Sequence, residues 1–116
     1  MLTKEIIIVN DGSTDDTAKI ADQYALKYPG IIKVIHQENG GHGCAVNTGL
    51  ANATGLYYKV LDSDDWLNEK ALFQVLELIK NLLSDGNVVD LLIANYVYEK
   101  PSMDKKKVMN YRTALP

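Results

Sequence analysis

The segment Asp62, Ser63, Asp64, Asp65, Trp66 places three carboxylates within four residues, directly after the apolar run Leu56 to Leu61. Three like charges in a crowded site repel one another, so such a cluster points to a cation, and an all-oxygen donor set selects Mg2+ or Mn2+. A metal held by few protein ligands has room for diphosphate oxygens and stabilises the charge growing on a departing nucleoside diphosphate. The competing reading is helix capping, with Asp64 or Asp65 facing the amides of the helix that follows. Asp11 carries a similar pair of readings. It stands just after the apolar run Glu5 to Val9, where its carboxylate either satisfies backbone amides or accepts a hydrogen bond from the N3 imide of uracil. A third polar segment, Asn39, Gly40, Gly41, His42, Gly43, follows the run Ile31 to Ile35, and its glycines allow close backbone approach to a ligand.

These residues need a scaffold that gathers them. Four apolar, β-branched or aromatic runs (Glu5 to Val9, Ile31 to Ile35, Leu56 to Leu61, Val88 to Ala94) alternate with segments of helical spacing. That alternation predicts βα units around a parallel sheet, an α/β class. In an open parallel sheet ligands bind beyond the carboxyl ends of the strands, where all three polar segments stand. Ser13 with Asp16 reads as a capping box for a first helix that places Ala18, Ala21, Tyr24, Ala25 and Tyr28 on one face, the tyrosines in the core, before Pro29 and Gly30 stop it. Gly41 to Ala53 reads as a short helix. A longer one begins near Asn68, buries Leu72, Val75, Leu76, Ile79, Leu82 and Leu83, and ends at Asp85 and Gly86. Asn95 to Lys100 could continue the last strand, and Pro101 to Pro116 reads as extended or irregular.

A chain of 116 residues, 47% hydrophobic, suits one compact core. Its formal net charge of -3 argues against a nucleic-acid partner, because binding phosphate backbones needs surplus Lys and Arg. Lys105, Lys106 and Lys107 read as a solvated cluster. One cysteine, Cys44, excludes an internal disulfide and favours a reducing, cytoplasmic location. No stretch approaches the ~20 apolar residues of a membrane span.

The segment Ile8 to Thr17, IVNDGSTDDT, resembles the VDDGSTD segment of family 2 glycosyltransferases, with Asn10 in place of the usual first aspartate. Glu38 to Leu67, ENGGHGCAVNTGLANATGLYYKVLDSDDWL, resembles the family's central block, which leads from an Asn-Gly-rich loop through a short helix into the DxD strand. Order and spacing both match, over residues 5 to 100 or so. The resemblance implies a GT-A (Rossmann-like) three-layer α/β fold with a mostly parallel sheet. Residues 1–116 would then form a single partial nucleotide-sugar-binding domain. It implies transfer of a sugar from a nucleotide-diphosphate sugar, a UDP-sugar, to a saccharide or other acceptor, with Mn2+ or Mg2+ at the DxD. By position, Asp11 would contact the base, Asp62 opens the DxD, Asp64 would contact ribose or metal, and Asp65 the metal. Gly41 and Gly43 would bring the backbone near the nucleotide together with Asn47, although Val46 stands where many relatives carry Arg. His42 reads as a surface-loop residue and Trp66 as a packing residue rather than a sugar platform.

Relatives of this kind begin with a further strand and a PxYN-like turn, whereas only Met1 to Lys4 precede the second strand here. In the family fold that strand lies between the second strand and the DxD strand. The expectation is therefore two unpaired strand edges and either failure of the fold or its repair, by a strand from a second chain, by edge pairing between chains, or by the segment Val88 to Glu99. The family's inverting mechanism draws its general base from beyond the DxD strand; neither Asp90 nor Asp104 has that context, so no catalytic residue is assigned and little transfer activity is expected of the chain by itself. Two other readings stand. A dinucleotide-binding site would use Gly41, Gly43 and Asp62, but Val46 occupies its third glycine position. A non-catalytic interaction module would use the open strand edges to form a homo-oligomer.

Overall fold

The computed structural model describes residues 4–100 and 105–112. The elements run β1 (Ile6–Asp11), α1 (Thr17–Lys27), β2 (Ile32–Gln37), α2 (His42–Asn52), α3 (Glu69–Ser84), β3 (Tyr96–Lys100) and β4 (Lys105–Met109). The chain divides into two compact units, Met1–Leu76 and Glu77–Pro116.

In the first unit β1 and β2 pair in parallel, with Asn10 beside His36 and Asp11 beside Gln37. Successive side chains on a strand face opposite ways, so these two pairs point to opposite faces. On one face the Asn10–His36 pair reaches Asp22 of α1, where His36 Nε2 lies 2.8 Å from Asp22 Oδ1. On the other, the Asp11–Gln37 pair reaches α2, where the Thr48 hydroxyl donates to Gln37 Oε1 at 2.6 Å. Helices therefore cover both faces of the β1–β2 pair, the layering of a βαβα unit. Gly49 is buried in α2, and a Cβ there would lie 3.7 Å from Val9 Cγ2 and 2.8 Å from the Tyr58 hydroxyl. A small residue at this position sets how closely helix and sheet approach.

Helix α1 differs from expectation at its start. Asp16 occupies the N-cap without a side-chain cap bond. Asp15 Oδ1 instead accepts from Thr17 N at 3.0 Å, and Ser13 N donates to Asn10 Oδ1 at 3.1 Å. Ser13 therefore serves the strand end rather than a capping box. Ala21 is the buried residue of this helix, whereas Tyr24 and Tyr28 are 50% and 42% exposed, which corrects their expected place in the core.

Helix α3 follows the predicted pattern. Asn68 Oδ1 accepts from Ala71 N at 2.9 Å, an N-cap bond. Leu72, Val75, Leu76, Leu82 and Leu83 are half-buried and Ile79 is buried. The helix ends in a Schellman motif, with Asn87 N donating to Leu82 O at 2.8 Å and Gly86 N to Leu83 O at 3.2 Å.

Two expected strands are corrected. Leu56 to Leu61 is not a strand, and Leu56, Val60 and Leu61 stand 69%, 41% and 48% exposed. A run of β-formers becomes a strand only against a neighbour whose edge it can join, and the β1–β2 sheet has two strands with neither edge taken up by this run. The run is tethered to α2 instead, by the Tyr58 hydroxyl on Val46 O at 3.1 Å. Val88 to Ala94 is not a strand either; the strand begins at Tyr96, within the stretch Asn95 to Lys100 expected as its continuation, and pairs antiparallel with β4, in a segment expected to be extended or irregular. Pairing selects the register: Tyr98 stands opposite Lys107, and Glu99 stands opposite Lys106, which it meets in an ion pair at 3.2 Å. Asp104 lies outside the described residues. Among the described residues no helix is long and apolar enough to cross a membrane.

Gly12 sits just beyond β1 with φ +73°, and a Cβ there would lie 2.7 Å from the backbone nitrogen of Asn39. Left-handed backbone alone costs an alanine roughly 1–2 kcal/mol, and a backbone atom cannot swing aside as a side chain can. Gly12→Ala is expected to lower stability in urea unfolding by at least about 2 kcal/mol. A loss within 0.5 kcal/mol or so, the scale of a neutral surface change, would contradict the close approach of the two loops.

Candidate donor-binding site

The site is assembled from three loops, and the loop between β2 and α2 links the other two. At the end of β1, Asp11 Oδ1 accepts from Gln37 Nε2 at 2.8 Å and from Gly40 N at 2.8 Å, while Oδ2 accepts from Gly41 N at 2.9 Å. The sequence left open whether Asp11 would satisfy amides of the helix that follows it; the amides it binds belong to the N-terminal loop of α2. Gln37 is oriented in turn, because the Thr48 hydroxyl occupies its oxygen and leaves its NH2 facing Asp11. A carboxylate offers about four acceptor sites. Three are used, and one remains on Oδ2.

The hydrogen bond from Gln37 does most to hold the Asp11 carboxyl below its ordinary value, followed by that from the Gly40 amide, against an opposing effect of burial; the Gly41 amide adds to the lowering. A depressed folded-state pKa means that the clamp's stabilisation is present above the ordinary aspartate value and is lost as pH falls through the depressed one. Amide resonances of Gly40 and Gly41 followed by NMR are therefore expected to titrate with a midpoint below that of an ordinary aspartate. A midpoint at or above it would mean that the clamp does not form in solution.

Past Gly41, which caps α2 with φ +91°, the helix opens with His42. Its Nε2 lies 2.8 Å from Asp62 Oδ1, twenty residues on, so His42 does not simply project into solvent from a loop. Asp62 begins a turn closed by Asp65 N on Asp62 O at 3.0 Å. Ligand atoms of Asp62, Asp64 and Asp65 lie within 4.8 Å of one another, and all three residues are exposed. Hard carboxylate oxygens at that spacing fit a small oxygen-seeking divalent cation such as Mg2+ or Mn2+. Gly43 and Asn47 are exposed on α2, and a Cβ on Gly43 would meet nothing within 4 Å. Trp66 is 62% exposed, which corrects its expected packing role; its chain neighbour Leu67 is exposed too.

Sequence reasoning passed over Gln37 and Thr48. The signal was the parallel register, which puts the last residue of β2 beside the last residue of β1. It also left the departure at Asn10 unexplained. Asn10 is buried, accepts from Ser13 N through Oδ1, and meets His36 Nδ1 through Nδ2 at 3.0 Å. The Ser13 amide fixes which way the side-chain amide points, so His36 Nδ1 accepts and its Nε2–H donates to Asp22. An ionised aspartate could not donate to that ring nitrogen.

A family model described as glycosyl transferase family 2 matches residues 1–114. The chain is 49% identical over 102 residues to EpsJ of Bacillus subtilis (strain 168), named an uncharacterized glycosyltransferase, a match covering 88% of this chain and 27% of that protein. It is 38% identical over 93 residues to glycosyltransferase GlyG of Streptococcus pneumoniae serotype 4, covering 79% and 29%. It is 36% identical over 89 residues to GgaB of Bacillus subtilis (strain 168), named a minor teichoic acid biosynthesis protein, covering 77% and 10%. The chain thus spans between 10% and 29% of the length of these three relatives.

Proposed function

Because the chain belongs to glycosyl transferase family 2, we propose that residues 1–116 act as a single donor-binding domain that holds a nucleotide-diphosphate sugar, a UDP-sugar, for transfer to a saccharide or other acceptor. The observation that carries this reading is the entry to α2 from Gly40 to His42, where the amides of Gly40 and Gly41 bind Asp11 and the imidazole of His42 binds Asp62. Two acidic segments far apart in the chain are thereby drawn to one end of the sheet, the place where open α/β sheets take their ligands.

Each residue then has a task its chemistry suits. The remaining acceptor site on Asp11 Oδ2 receives the N3–H of uracil; cytosine has no hydrogen there. Gly41 and Gly43 border the first turn of α2, where a helix leaves its leading amides without intrahelical partners and favours anionic oxygens, and Asn47 follows one turn further on. Asp62, Asp64 and Asp65 would hold Mg2+ or Mn2+, with Asp64 also within the ribose-binding role. The bound cation supplies Lewis-acid stabilisation to the diphosphate as it leaves. No residue of the chain is assigned as the base that activates the acceptor. A cytoplasmic location belongs to the same proposal, as does self-association through the β1 edge that has no partner strand among the described residues.

Calorimetric titration of the chain with UDP, in Mn2+ and in EDTA, tests the reading. Binding is expected in Mn2+ and is expected to be lost in EDTA. No binding under either condition sinks it, and equal binding under both removes the metal from it.

A further inference from the structure

We infer that His42 is a positioning residue for Asp62: its imidazole fixes the rotamer of that carboxylate so that one oxygen stays free for the cation. The inference rests on the donor-site reading above. Asp62 Oδ1 is engaged by His42 Nε2 at 2.8 Å, and a carboxylate oxygen so engaged orients its partner Oδ2 toward the remaining side of the group. Nothing else forces this pairing, since Asp62 and His42 are about half and three-quarters exposed (49% and 73%), and an exposed aspartate otherwise samples its rotamers freely. The base of the imidazole is itself held. His42 is the first residue of α2, and the two residues before it donate their amides to Asp11. Asp11 thereby anchors the backbone from which His42 reaches Asp62, and the nucleotide-base end of the site is coupled to its cation end through three consecutive residues. Side chains that hydrogen-bond a metal-ligating carboxylate typically contribute about 10- to 100-fold to metal affinity.

Mn2+ binding by the nucleotide-free chain, read from the electron paramagnetic resonance signal of free Mn2+, tests this without any measurement of transfer. His42→Phe keeps a ring of similar size and removes the donor, and is expected to weaken Mn2+ binding about 10-fold or more. His42→Gln retains an N–H donor at similar reach and is expected to recover most of that loss, which a purely steric role would not predict. In an Asp62→Ala background His42→Phe should have no further effect. The inference is overturned if His42→Phe binds Mn2+ like the unaltered chain, if His42→Gln is as weak as His42→Phe, or if the effect persists without Asp62. Should the unaltered chain bind no Mn2+, the cation site itself fails and the positioning role falls with it; normal Mn2+ binding with an indifferent His42 overturns the positioning role alone.

Discussion

The double variant Asp64→Ala, Asp65→Ala is expected to lose metal-dependent UDP binding, with affinity in Mn2+ falling by at least about 100-fold, the upper end of what losing an outer-shell partner alone does. Removing two of three oxygen ligands leaves a cation with Asp62 alone, too few anionic donors to compete with water for Mg2+ or Mn2+. The control is built into the electrostatics. Three exposed carboxylates within 4.8 Å of one another repel, so the variant is expected to fold as well as the parent, and an unchanged urea-unfolding midpoint separates lost binding from unfolding. In calorimetry the variant in Mn2+ should behave like the parent in EDTA. A variant that still binds UDP with undiminished, EDTA-sensitive affinity would place the cation elsewhere.

Asp11→Ala is expected to act on two levels at once. It removes the acceptor proposed for the uracil imide, weakening UDP by roughly 10- to 100-fold, the scale of one hydrogen bond to a charged group. It also releases the amides of Gly40 and Gly41 from their bonds at 2.8 and 2.9 Å, so both should exchange with solvent faster. Asp11→Asn should not restore the parent, because a carboxamide presents a single oxygen and would turn its NH2 toward either Gln37 and Gly40 or Gly41. The parent should prefer UDP over CDP, since the ring nitrogen of cytosine would bring a lone pair to the carboxylate; in Asp11→Ala that preference should collapse. Equal affinity of the parent for both nucleotides would remove Asp11 from base recognition while leaving its clamp on the loop intact.

Much of this molecule was legible before any coordinates. Helix α3 could be read to its ends, because each feature that defines it is local: the Asn68 cap, the stripe from Leu72 to Leu83, and the glycine at the stop are fixed by neighbours within a turn or two. The same holds for β1 and β2, short apolar runs cut off by polar residues, and for the acidic segment after Leu61. Family membership was legible for a related reason, since order and spacing of polar segments survive in a one-dimensional string. What failed was whatever depended on a partner. Leu56 to Leu61 has strand composition but joins neither edge of the β1–β2 sheet, and β3 begins at Tyr96, where it pairs with Lys105 to Met109, rather than at the apolar residues before it. Tyr24 and Tyr28 lie on the predicted helical face yet stay exposed, because periodicity gives direction and not depth.

The residue types at the site, and their position after strands, were determined by the sequence alone. Only the tertiary structure decided whom they touch. Asp11 could have capped its own helix; the parallel register of β1 and β2 brings it to Gln37 and to the α2 loop instead. His42 could have been a solvated side chain, and the fold carries Asp62 to within 2.8 Å of it. A hydrogen bond between residues twenty or more positions apart depends on the path of the whole intervening chain, and that path is settled by packing two helices on opposite faces of a sheet rather than by any local preference.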